Sequence, residues 1–85
     1  MINEKIALGL EEVAHLAKSS NDAAKIKEAI SAVKELISGK DPFQQLDTEL
    51  ATWQSKLSVI LKEPVGREGM VKHARYWAEK IKNAG

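Results

Sequence analysis

The chain of 85 residues contains no cysteine. Disulfides, thiolate metal sites and a cysteine nucleophile are therefore excluded, and a reducing, cytoplasmic setting is expected. Proline occurs only twice, at Pro42 and Pro64, and each is read as a helix boundary. No apolar run approaches the ~20 residues that a membrane helix needs. The opening MINEKIALGLEEVAHLA carries acidic residues and no long apolar core, so it is not read as a signal peptide. Charge of one sign is also scarce. A net charge of +1 exerts no global pull toward nucleic acid or membrane.

The charge that is present is unevenly spread. Residues 62–85 hold six basic residues, Lys62, Arg67, Lys72, Arg75, Lys80 and Lys82, against three acidic ones, Glu63, Glu68 and Glu79. The first 61 residues hold seven basic and nine acidic residues. The C-terminal quarter is thus the basic part. An apolar fraction of 44% beside a charged fraction of 29% suits a folded, well-solvated chain rather than a disordered one. At this length a single small domain over 1–85 is expected, with a stability of order 5 kcal/mol.

Hydrophobic spacing gives the architecture. Phe43, Leu46, Leu50, Trp53, Leu57 and Ile60 follow one another at intervals of three or four, which places all six on one stripe of an α-helix. This stripe holds the only phenylalanine and one of two tryptophans, so the rest of the chain is expected to pack around it. Ile26, Ile30, Val33 and Ile37 form a second seam, widened by Ala23, Ala29 and Leu36. Ile2, Ile6, Leu10, Val13 and Ala17 form a third, flanked by Leu16. Met70, Ala74, Trp77 and Ile81 form a fourth, with Trp77 expected to meet Trp53 or its neighbours.

Boundary residues divide these seams. Ser19-Ser20-Asn21-Asp22 favours a turn, with Ser20 or Asn21 as the cap of the second helix and Asp22 suited to its dipole. Gly39 sits where a left-handed C-terminal cap is usual. Asp41-Pro42-Phe43-Gln44 reads as a cap, a first-turn proline and a variant of the capping box. Glu63-Pro64-Val65-Gly66-Arg67-Glu68-Gly69 reads as a linker. The expectation is an all-α, antiparallel, up-down-up-down four-helix bundle with helices at about 3–18, 22–38, 42–62 and 67–83. Gly9, inside the first helix, implies close approach of a neighbour. Leu8 and Val59 should face outward.

No catalytic, metal-binding or cofactor-binding set emerges. Glu12 and His15 have the Glu-x-x-His spacing of di-metal bundles, but they fall on the outer face and have no second copy. His73 is a lone histidine at the edge of the fourth seam, expected to stack on Trp77. Lys72, Arg75, Tyr76 and Lys80 form much of the outer surface of the fourth helix. Basic side chains beside an exposed aromatic suit phosphates and bases, although Glu68 and Glu79 interrupt the strip. Arg67 is expected to pin the linker by packing its stem; an anion-binding turn at Gly66–Gly69 is the other reading. No nucleophile elbow, zinc signature, P-loop or RNA-binding signature is present.

The leading expectation is therefore a non-enzymatic protein that acts by protein–protein contact, self-association as a homodimer included. Arg67, Lys72, His73, Arg75, Tyr76 and Lys80 are its candidate contact residues. A weak nucleic-acid-binding module using the same helix is the second reading. A small accessory or ligand-binding subunit of an enzyme, with its site at Pro64–Gly69, is the third.

Overall fold

A one-residue corner sets the relation between the two longest helices. Helix α3 (Gln44–Lys62) ends at Glu63, and helix α4 (Pro64–Ala84) begins with the next residue. Glu63 is extended, with φ −106° and ψ 128°, as the residue before a proline prefers. Pro64 then occupies the first helical position, where its missing N–H costs nothing. The Glu63 carbonyl accepts the Arg67 N–H at 3.0 Å. The linker expected at 63–69 is thus replaced by the first turns of α4, which starts three residues earlier than the sequence reading placed it.

Gly66 explains why those turns are glycine-bearing. A Cβ at this position would lie 2.9 Å from the Ile60 carbonyl oxygen and 3.4 Å from the Ile60 Cα. Only a residue without a side chain lets the start of α4 sit this close to the Ile60 backbone. Gly69 has open space around it and no comparable role.

The computed structural model describes residues 2–84, so Met1 and Gly85 of the expected 1–85 domain lie outside the described residues. Helix α1 spans Ile2–Ser19 and helix α2 Ala23–Ile37. A turn of 3-10 helix, Asp41–Phe43, leads into α3. Two boundary expectations change here. Asp22, not Ser20 or Asn21, caps α2: its Oδ1 accepts the N–H groups of Ala24 and Lys25 at 3.1 and 3.3 Å. Ser20 Oγ in turn accepts the Asp22 N–H at 3.0 Å. Asp41 does not cap α3, because the 3-10 turn uses its carbonyl to accept the Gln44 N–H. Gly39 does adopt the left-handed conformation, at φ +73°.

The four helices form a ring in which each packs on its sequence neighbours and α1 packs most extensively on α4. Contacts run in opposite sense along α2 and α3 and along α3 and α4. Ser31 meets Gln54 while Lys34 meets Asp47; Ile60 meets Gly66 while Glu49 meets Trp77. The radius of gyration is 11.8 Å, against about 12 Å for a compact chain of this size. One contiguous core holds Ile6, Leu10, Val13, Ala17, the whole second seam, and Leu46, Leu50, Trp53 and Leu57. Phe43 and Ile60, at the ends of the long stripe, are half-buried, and Ile2 is exposed. Among the described residues no polar side chain is buried, and no helix is long and apolar enough to cross a membrane. Leu8 and Val59 face outward. Gly9 does mark a close approach: a Cβ there would lie 2.7 Å from Val33 Cγ2.

Helix α3 is not straight. Lys56 has φ −111° and ψ 15°. Just before it, the hydroxyls of Thr48, Thr52 and Ser55 each donate to the carbonyl four residues back, at 3.1, 3.0 and 2.9 Å. Such back-bonding competes with the helix ladder and bends it.

The two α4 glycines should respond to substitution with opposite signs. Gly66→Ala pushes a methyl group against fixed backbone and is expected to cost about 1–3 kcal/mol. Gly69→Ala meets nothing and should gain about 0.5–1 kcal/mol of helix propensity. Urea unfolding of the two variants beside the parent measures both.

Candidate functional site

Four of the six candidate residues converge. Lys72, His73, Tyr76 and Lys80 line an open depression of about 490 Å3 between α3 and α4, together with Gln45, Glu49 and Trp77. Helical spacing produces this grouping: residues 72–73, 76–77 and 80 recur on one flank of α4, one turn apart.

Glu49 organises the depression. Its carboxylate accepts the indole N–H of Trp77 on Oε1 at 2.5 Å and contacts Nδ1 of His73 with Oε2 at 2.7 Å. A carboxylate can only accept, so Nδ1 carries the hydrogen and Nε2 is left for a partner. His73 is therefore held by Glu49, where stacking on Trp77 was expected. Trp77 itself departs from the sequence reading. It is half-buried at the margin of the core, and its ring meets Tyr76 edge-on, with centroids 5.8 Å apart and planes at 72°. The Lys80 Nζ sits 5.1 Å from the Trp77 centroid and 5.7 Å from that of Tyr76. An exposed cation–π contact of this kind contributes about 0.5–1 kcal/mol.

Glu49 escaped the sequence reading because its partners are 24 and 28 residues away. A signal was available. A glutamate between Leu46 and Leu50, on the edge of the strongest seam in the chain, requires a hydrogen-bond partner if it is half-buried.

The remaining two candidates lie elsewhere. Arg75 faces the α1 side of α4, near Glu11, His15 and Glu79. Arg67 is part of the framework. Its guanidinium donates to the carbonyls of Ala17, Ser20 and Leu61 at 2.7, 2.8 and 3.2 Å, and to Asn21 Oδ1 at 3.0 Å. It pins the start of α4 by hydrogen bonds, where stem packing alone was expected. The Gly66–Gly69 turn reading falls with the linker. Glu12 and His15 are both exposed, and among the described residues no three His, Asp or Glu side chains gather as metal ligands would.

The depression is mildly basic. Lys72 and Lys80 line it together with Glu49, and Lys72 also pairs with Glu68, outside that lining, at 3.5 Å. The lining residues include no serine, threonine or cysteine. What the surface offers is two aromatic faces, a fixed imidazole and two movable ammonium groups.

Two substitutions probe these assignments. Arg67→Lys removes the fork that serves four acceptors and should lower stability by about 2–3 kcal/mol in a denaturant titration. Glu49→Ala should leave the fold intact but shift the Trp77 indole proton upfield and speed its exchange, with the Trp53 indole proton unmoved in the same NMR spectrum. Comparison with protein-family models, curated proteins and solved structures finds no match for this chain.

Proposed function

We propose that this is a non-enzymatic helical-bundle protein that works by contact with another protein, and that the α3–α4 depression is the contact surface. The observation that carries the reading is the Trp77 ring held by Glu49 beside a Tyr76 that is 59% exposed. Tyrosine and tryptophan supply large contact area at small conformational cost, which is why they dominate the energetics of interfaces. The Trp77 N–H is already satisfied, so a partner can cover the ring without stranding a donor. Lys72, Lys80 and the free His73 nitrogen rim the rings, which suits a partner presenting an apolar side chain flanked by carboxylates. A second copy of the chain is one form such a partner can take.

The nucleic-acid reading has less support. Binding to a phosphate backbone draws on a large local surplus of cations, and here two lysines share the depression with Glu49, one of them already paired with Glu68.

Photo-crosslinking in the native cell tests the proposal, with a photoreactive residue at position 76 and a control at the exposed Lys27 on α2. A defined protein adduct at 76 and not at 27 is expected, and Lys80→Glu should reduce its yield about tenfold. Sedimentation at micromolar concentration identifies self-association. Equal labelling from both positions, or an adduct that consists of nucleic acid, would remove the reading.

A further inference from the structure

The other flank of α4 carries a different and more one-sided charge. Between the end of α1 and the first three turns of α4 lies a depression of about 450 Å3, lined by Lys18, Pro64, Arg67, Glu68, Val71, Lys72 and Arg75. Four cations face one carboxylate. The Arg67 guanidinium is spent on four oxygen acceptors, so its charge is fixed in place but its donors are used. Lys72 holds Glu68 in an exposed pair at 3.5 Å, a contact weak enough to be exchanged. Lys18 and Arg75 are exposed, and among the described residues neither lies within ion-pair distance of a carboxylate.

We propose that this depression binds a small organic phosphate, with the phosphate between Lys18 and Arg75 and an apolar body over Pro64 and Val71. Charge selects the class. Two uncommitted cations over a fixed third match a phosphomonoester, which carries about −1.5 to −2 at neutral pH, better than a monocarboxylate. Arg75 supplies the planar fork that suits phosphate oxygens, and Lys18 a mobile point charge. The floor selects the rest of the ligand. Val71 is only 8% exposed and Pro64 presents a rigid ring, so an apolar group gains contact there that inorganic phosphate lacks. Lys72 borders both this site and the α3–α4 contact surface, but Lys18 and Arg75 do not line the latter, so the two can be told apart.

The test is titration of the uniformly 15N-labelled full chain with phenyl phosphate, at ionic strength held constant with sodium chloride. Saturable amide shifts at Lys18, Glu68, Val71 and Arg75 are expected, with a dissociation constant near 1 mM or tighter (about −4 kcal/mol). Inorganic phosphate should bind several-fold more weakly at the same amides. Lys18→Gln and Arg75→Gln, both on exposed positions that leave the core untouched, should each weaken binding about five- to tenfold. Tyr76→Ala should leave the curve unchanged, which separates this site from the protein-contact surface. Shifts that stay linear to about 20 mM, or a curve indifferent to both Gln variants, would overturn the proposal. So would association with phosphatidate-containing vesicles in the absence of any response to phenyl phosphate.

Discussion

Arg67 is the side chain on which the arrangement of helices depends. Its guanidinium touches the last turn of α1, the turn between α1 and α2, and the last turn of α3, while its own backbone belongs to the first turn of α4. Helix ends leave carbonyls without partners, and three helix-end or turn carbonyls are satisfied here by one cation. That cation also sits at the negative end of the α1 dipole, where positive charge is favoured. Beside it, Gly66 brings the start of α4 against the Ile60 carbonyl. The two neighbours together fix the height and rotation of α4 relative to the rest of the bundle. An apolar core could not do this alone. Its side chains form smooth seams of Ile, Leu, Val and Ala, which tolerate sliding and repacking, and among the described residues it contains no polar group to specify register.

Fixing α4 has consequences at a distance. A helix advances 100° per residue, so a one-residue shift in the start of α4 would rotate every later side chain off its flank. With Pro64 first, Ala74, Ala78 and Ile81 reach the core. His73, Trp77 and Lys80 turn toward α3, and Arg75 turns toward α1. Tyr76 borders the α3 flank, and Lys72 borders both flanks. The basic excess of the C-terminal quarter is thereby split between two flanks. On the α3 flank Lys72 and Lys80 border Glu49; on the α1 flank Lys18, Arg67, Lys72 and Arg75 collect around Glu68. A tally over the linear sequence averages these two environments and hides the difference.

The features legible in the sequence were those set by short-range periodicity. The seam Ile26, Ile30, Val33, Ile37 reads directly as buried, because no other conformation places those four together. Gly39 is legible for a similar reason, since few other residues accept its φ. The start of α4 was not legible from propensity. Two glycines and a proline within six residues look like a linker, and the contact that makes Gly66 useful involves a backbone atom of another helix. The cap of α2 was ambiguous because Ser20, Asn21 and Asp22 are all capable, and the choice depends on where the first helical N–H groups fall. Spacing alone assigns Trp77 to the core. Its neighbour Glu49 belongs to another helix, and no pattern local to residues 70–81 could announce that a carboxylate waits at the margin. Of the candidate residues, Lys72, His73, Tyr76 and Lys80 were found together because one helix flank carries them. Lys18 went unnoticed because it joins Arg75 only through the α1–α4 packing.

A helix margin is also a reasonable place for recognition in a protein this small. The two depressions both open to solvent between neighbouring helices, where side chains reach out from the seam. The polar groups at such a margin keep their hydration, and holding them there costs far less than burial would. What remains expensive is orientation. Glu49 supplies it on one flank by tying an indole and an imidazole to one carboxylate, and Arg67 supplies it on the other by fixing a charge with four bonds. In both places a single ionised side chain orders its neighbours before any partner arrives, which lowers the entropy that association must overcome.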